Sequence, residues 1–466
     1  MLNRAITWAI TISVALHANT LWAYEFSQEQ LQTAQELREL AEDDKLGYQI
    51  VESLTTEIGP RLAGSPAEKR AREWATDTLK SLGFKNIRVE EFELPYWQRH
   101  HEHAEIISPF PQPLVISALG GSTSTPEGGV QGEVVRFDSL AGLQAAKDGS
   151  LKNKIVFIDE TMARTQDGSG YGAAVAKRRL TAYESHRAGA LAALIRSVGT
   201  DHDRFAHTGQ MKRVTDKDIG ESVPTAALSA PDADQLRRIM SKINKPVELK
   251  LTLTTSTQPA TTSGNVIAEL PGKQNKDEIV LVGAHLDSWD LGTGAIDDGA
   301  GIGIIVAAAK LVHQHVKRPL KRTIRIVMFG SEEVGLVGAK AYAQKHAKDQ
   351  HIIAAESDFG ADIIWQFGVA NASEDHSQAV DALAKVFRPM DIIPTNGPVH
   401  GGPDIKYLRE DGVPTAEFLQ NGKDYFDLHH TANDTLDKIN KEKLRQNIAA
   451  YAQFLYLVAD SDIKFK

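Results

Sequence analysis

Ile279-Val280-Leu281-Val282-Gly283-Ala284-His285-Leu286-Asp287-Ser288 is the stretch on which the fold turns. Its apolar run shows no polar alternation, so it reads as a strand buried on both faces, as in a parallel sheet covered by helices. The run closes on His285 and Asp287, which strand periodicity places on one face. A histidine at that end can bind a metal. The Asp287 carboxylate can accept the other imidazole N–H and fix the tautomer. A lone His-x-Asp is commonly structural, so the reading depends on its surroundings.

The same punctuation recurs downstream. Gly294-Ala295-Ile296-Asp297-Asp298-Gly299-Ala300-Gly301 opens an apolar helical run, Ile302 to Val316. Alone, Asp297 reads as a helix N-cap; among glycines that leave room for ions, its carboxylate can bridge two cations. Arg325-Ile326-Val327-Met328-Phe329-Gly330-Ser331-Glu332-Glu333 is a strand ending in adjacent acids. Neighbouring residues point in different directions, so one can bind metal while the other faces an attacking water. Ile352-Ile353-Ala354-Ala355-Glu356-Ser357-Asp358 is a third apolar strand ending in an acid, and His429-His430-Thr431-Ala432-Asn433-Asp434 is a loop before the last helix. His430 is its candidate ligand, with Asp434 a cap or supporting carboxylate. Taken singly, each has an ordinary structural explanation. Together, two histidines and several carboxylates make a mixed N/O ligand set that suits zinc, at the strand ends where open α/β sheets bind ligands.

Periodicity predicts strands over 278–284, 323–329, 351–357, near 392 and over 414–419. Helices are predicted over 298–316, 336–347, 375–387, 404–410 and 440–459. This alternation argues for an α/β fold, a mixed and mostly parallel sheet sandwiched by helices.

These settings, in this order, resemble the zinc aminopeptidase and glutamate carboxypeptidase family, which also includes the transferrin-receptor ectodomain. The nearest branch is that of the plasma glutamate carboxypeptidases. His285-Leu286-Asp287, Gly294 to Gly301, Glu332-Glu333, Asp358 and His430 each match a family motif. So do the loop Gly59-Pro60-Arg61-Leu62-Ala63-Gly64-Ser65 and the segment Gly401-Gly402-Pro403-Asp404 followed by Gly412-Val413-Pro414. The likeness covers nearly all of the chain after its leader. It implies a zinc exopeptidase fold and two Zn2+ ions bridged by Asp297. His285 and Asp358 would complete one site, Glu333 and His430 the other. Glu332 would be the general base and Asp287 the orienting carboxylate. Many members carry Tyr before the last histidine. His429 stands there in this chain and becomes the candidate for stabilising the oxyanion. The implied reaction is hydrolysis of dipeptides or short peptides with a free N-terminus. Two rivals share the fold, a non-catalytic receptor-like ectodomain and a single-zinc glutaminyl cyclase.

The remaining sequence bounds these readings. The chain has 466 residues, 42% hydrophobic and 24% charged, enough for two or more domains. A net charge of −9 argues against nucleic acid as partner. With no cysteine, disulfides, thiolate ligands and cysteine nucleophiles are excluded. Arg4 precedes an apolar stretch, Ala5 to Ala23, which reads as a signal peptide over 1–23 with cleavage after Ala18 or Ala23. That implies a secreted or periplasmic protein with no membrane span once the signal is removed. Peptide is the expected partner, and a homodimer is compatible with the sequence.

Residues 24–104 read as the first part of the peptidase domain, with helices over Glu25 to Leu46, Tyr48 to Thr55 and Ala67 to Leu82, and a strand from Asn86 to Leu94. Residues 105–258 change character, with loops such as Gly120-Gly121 and short strands at Val134 to Phe137, Lys154 to Ile158 and Ala192 to Ile195. This stretch resembles an inserted β-rich protease-associated domain. His207-Thr208-Gly209 within it could reach the site, and a surface histidine is the expectation for His207. The peptidase domain resumes over 259–466.

Overall fold

The computed structural model describes residues 24–212 and 221–466. The expected leader lies outside the described residues. Fourteen described strands join one hydrogen-bonded sheet. The first seven are β1 (Lys85–Ser108), β2 (Gln112–Leu114), β3 (Ile116–Ala118), β4 (Val130–Phe137), β5 (Lys154–Ile158), β6 (Ala192–Arg196) and β7 (Thr225–Leu228). The others are β8 (Glu248–Leu270), β9 (Asn275–His285), β10 (Arg322–Phe329), β11 (Gln350–Glu356), β12 (Ile364–Ala370), β13 (Ile393–Pro394) and β14 (Thr415–Gln420). Across the sheet they run β13-β12-β14-β11-β9-β10-β8-β4-β5-β6-β7-β3, with β1 paired along β8.

Two parallel blocks make up this sheet. One is β14-β11-β9-β10; the other is β4-β5-β6-β7. Between them β8 runs antiparallel to both β10 and β4. In the first block Val280, Val282 and Ala284 of β9 pack into one core with the helices Ala300–His315 and Lys441–Ala459. Ile279 and Leu281 enter a second core beneath the helix Val337–Lys345. Both faces of the strand are buried, which is why its sequence does not alternate. The second block repeats the arrangement. Ile155 and Phe157 of β5 face one core with the helix Ala230–Lys242, and Val156 and Ile158 face another with the helix Ser169–Arg187.

The α/β expectation therefore holds. The segment expected to be β-rich carries at its centre four parallel strands with helices on both faces, since its short apolar strands are themselves buried twice over. A strand expected over Asn86 to Leu94 continues to Ser108, with Trp97, Ala104 and Ile106 buried. Positions 104/105 and 258/259 both fall inside long strands, β1 and β8, so the chain crosses them without a linker. Sequence reading did not find β12. Gln366 and Gly368 interrupt its apolar run, and its pairing with β14 is what orders it.

Candidate metal centre and active site

The parallel register sets Phe329 beside His285 and Glu356 beside Gly283. The chain segments leaving β9, β10 and β11 therefore meet along one edge, carrying Asp287, Glu332, Glu333 and Asp358. Two loops close over them. Asp434 binds the first, accepting hydrogen bonds from the backbone N–H of Ile296 at 2.6 Å and of Asp297 at 3.2 Å. Arg61, fully buried, donates to the carbonyls of Leu286 (2.5 Å), Thr293 (2.7 Å) and Gly294 (2.9 Å). Gly294 has φ +63°, and a Cβ there would stand 2.4 Å from that of Ser288, so this turn requires glycine.

Asp297 lies between two histidine–carboxylate pairs. On one side His285 Nε2 is 3.0 Å from Asp297 Oδ1 and 3.5 Å from Asp358 Oδ1. On the other, His430 Nε2 is 3.4 Å from Asp297 Oδ2 and 2.9 Å from Glu333 Oε2. Asp297 Oδ2 and Glu333 Oε1 are buried with no hydrogen-bond partner. Buried orphan oxygens are costly unless something positive meets them. His285 Nδ1 lies 2.9 Å from the carbonyl oxygen of Asp287, so a proton on that nitrogen leaves Nε2 free as a donor to metal. Donor atoms of His285, Asp297 and Glu333, of His285, Asp298 and Asp358, and of Asp297, His429 and His430 each lie within 4.8 Å of one another. An imidazole-plus-carboxylate set of this kind fits zinc.

The electrostatics point the same way. Burial, reinforced by the charge of Asp358, pushes the Glu332 carboxyl up to about 8. Burial and the charge of Asp297 push Glu333 well above the carboxylate range. Burial and neighbouring cations hold His429 and His430 well below the ordinary histidine range, as neutral imidazoles. Crowded acids beside neutral imidazoles favour a bound cation.

Three readings are corrected here. Asp297 does not cap the following helix. Asp298 does so, its Oδ1 accepting from Gly301 N–H at 3.0 Å and its Oδ2 from His285 N–H at 3.1 Å. The Asp287 carboxylate is 3.8 Å from His285 Nδ1, too far for a hydrogen bond. It accepts instead from the backbone N–H of Glu332 at 3.1 Å, so it orients the acid pair rather than the imidazole. His207 is fully buried, not on the surface. Its Nδ1 lies 2.7 Å from the His429 carbonyl, and its Nε2 lies 2.5 Å from Asp201 Oδ1. Its neighbour Thr208 donates its N–H to the His430 carbonyl at 3.1 Å. The 105–258 segment thus grips the histidine loop.

His429 stacks on His430 with ring centroids 3.5 Å apart. Its Nε2 is 3.8 Å from Asp297 Oδ2. Asp297, Glu332, Glu333, Asp358, His429 and His430 line a cleft of about 640 Å³, whose facing wall carries Tyr171, Arg178 and Arg179. Sequence reading missed Arg61, Tyr171 and Arg178. Arg61 stands inside a motif that it did single out; the other two carry no local signal.

The sequence pattern of peptidase family M28 matches residues 265–455. The Carboxypeptidase Q of Bos taurus is 33% identical over 416 residues, spanning 89% of this chain and 85% of its own. The chain belongs to peptidase family M28. Aminopeptidase YwaD of Bacillus subtilis is 26% identical over 430 residues, covering 88% of this chain and 83% of its own. A crystal structure of a peptidase M28 precursor from Shewanella amazonensis superposes with a TM-score of 0.91 at 48% identity, covering 94% of this chain and 98% of that one. An aminopeptidase from Aneurinibacillus shares the fold, with a TM-score of 0.63 at 21% identity over 94% of this chain and 98% of its own. The M28 match contains all eight sequence-predicted site residues, whereas Tyr171, Arg178 and His207 lie outside it.

Proposed function

We propose that this M28 member is a zinc-dependent exopeptidase, exported from the cell, that hydrolyses dipeptides or short peptides with a free N-terminus. The observation that carries the reading is Asp297. Its two oxygens face two separate histidine–carboxylate pairs, and one of them is buried without a partner. His285, Asp358 and Asp297 would hold one Zn2+, and His430, Glu333 and Asp297 the other. Bound zinc would supply Lewis acidity, lowering the pKa of water and polarising the scissile carbonyl.

The chain's own groups do the rest. Glu332 takes a proton from the attacking water as the C–O bond forms. It returns that proton to the leaving amine nitrogen as the C–N bond breaks. Asp287 holds the backbone on which Glu332 sits. His429, neutral and packed against His430, donates a hydrogen bond from Nε2 to the oxygen that gains charge. The complete donor set and base argue against the receptor-like reading, and two separable pairs argue against a single-zinc cyclase. Among the described residues, no helix is long and apolar enough to cross a membrane.

The test combines zinc content with turnover on a dipeptide panel with free and blocked N-termini. The expected result is two zincs per chain, turnover of the free peptides, loss of both on chelation and recovery with added zinc. One zinc per chain, or turnover that survives chelation, would sink the reading.

A further inference from the structure

His430 has a backbone φ of +62°, a conformation that residues with a Cβ seldom adopt and that persists where the surroundings hold it. Its own loop closes on the carbonyl before it. Thr431 donates its N–H at 3.1 Å and its hydroxyl at 2.7 Å to the Leu428 carbonyl. The next two carbonyls are taken by the 105–258 segment. His207 Nδ1 lies 2.7 Å from that of His429, and the Thr208 N–H donates to that of His430 at 3.1 Å. The Thr208 carbonyl lies 3.3 Å from His430 Nδ1, the ring nitrogen opposite the one that faces Asp297 and Glu333. Arg178 Nη1 stands 3.3 Å from that same nitrogen.

His207 is itself fixed. Its Nε2 is 2.5 Å from Asp201 Oδ1, and Asp201 Oδ2 accepts the N–H of Asp203 at 2.9 Å. Its backbone N–H donates to Ser197 Oγ at 3.0 Å. A Cβ on Gly199 would stand 2.3 Å from ring atoms Cε1 and Nε2, so the ring lies directly on that backbone. Both ring nitrogens face oxygens that only accept, so the ring donates at each end. The other candidate ligand is held differently. His285 Nδ1 meets the carbonyl of Asp287, two residues along the same chain. One imidazole is oriented by its own strand end, the other from a residue 222 positions upstream. Partners that orient a metal-binding imidazole add to metal affinity, commonly by ~10–100-fold.

We infer that His207, backed by Asp201, is a positioning residue for His430: it sets the affinity of the zinc site made by His430, Glu333 and Asp297, and leaves the site of His285 and Asp358 unaffected. This rests on the two-zinc reading above and makes the two sites separable from outside the peptidase match.

The experiment strips the full chain of metal and counts bound zinc across a series of buffered free-zinc concentrations. His207→Ala should weaken one of the two sites by ~10–100-fold, so that one zinc per chain remains where the wild type holds two. In the His430→Ala background the same change should have no further effect on zinc binding. His207→Asn, whose amide nitrogen takes the place of Nδ1, should recover part of the loss. Asp201→Asn should weaken the same site by a smaller factor, and it reads the same quantity if the alanine variant does not fold. Two unchanged sites in either folded variant would overturn the clamp. So would equal weakening of both sites, or a loss that persists in the His430→Ala background. A wild type that takes up fewer than two zincs at saturating metal would overturn the two-zinc reading, and the clamp with it.

Discussion

At the carboxyl end of β5, Asp159 is buried between two arginines, with Arg136 Nε and Arg196 Nη2 each 2.7 Å from its carboxylate. Beyond the carboxyl ends of β10 and β11, Glu333 and Asp358 pair with His430 and His285, and with no arginine or lysine among the described residues. The two parallel blocks have the same build, with their central strands buried on both faces by helices. Their strand-end acids differ in what neutralises them. Asp159 carries its counter-charge in the chain, and its network closes through Asp234, which also binds Arg196 at 2.7 Å. Around Asp297, oxygens remain buried and unpartnered. The structural carboxylate comes with its arginines, whereas the candidate metal-binding ones are left short of positive charge.

Substitutions can break that contrast, ranked here by their effect on turnover. Asp297→Asn should do the most, because one carboxylate serves both pairs. Zinc should fall well below two per chain and peptidase activity to background; two tightly held zincs would refute the bridging role. Glu332→Gln should lower turnover by ~10²–10⁴-fold or more while zinc stays bound. Near-normal rates in the zinc-loaded variant would remove Glu332 as the base. His429→Ala should cost ~10²–10³-fold in the chemical step with zinc near two, whereas His430→Ala should lose metal. A loss of zinc in His429→Ala would make His429 a ligand instead. Asp159→Asn should leave zinc content and turnover of the folded enzyme unchanged. It should cost less than the about 3–5 kcal/mol of a broken buried pair, because Arg196 keeps Asp234 and the part-exposed Arg136 keeps Asp138. Denaturant unfolding measures that loss, and a matching loss of zinc would show that the blocks are not independent.

The first block and most of the candidate site were legible because each candidate ligand there follows an unbroken apolar run. His285, Glu333 and Asp358 follow strands whose double burial is written into consecutive residues. Asp297 and His430 were legible from their glycine-rich and histidine-pair loops. Arg178 was not, and neither was the burial of His207 or of Arg61, although the loop of each was singled out. Each reaches the site from a distant segment, and nothing in its immediate sequence distinguishes a buried cation or imidazole from a solvated one. The role of Asp287 was misread because the carbonyl of the same residue meets the imidazole before its carboxylate can. The parallel core of the 105–258 segment was obscured for a different reason. Its strands are short, and the helix Ser169–Arg187 between them carries charges, those of Lys177 and Arg178, on the face that packs inward.

The β1–β8 ladder joins Lys85 to Glu269 at one end and Ser108 to Glu248 at the other. During synthesis β1 therefore emerges long before its partner, a strand of 24 residues with both edges open. Closing so wide a loop is slower than a local pairing, and condensation of the second parallel block, which lies between the two strands in sequence, would shorten it. Until then β1 is a template on which another nascent chain can pair. Arg88, Glu90, Glu91, Arg99 and Glu102 punctuate it with charge along most of its length. The residues that later form ion pairs along the finished ladder thus act earlier as its protection against aggregation.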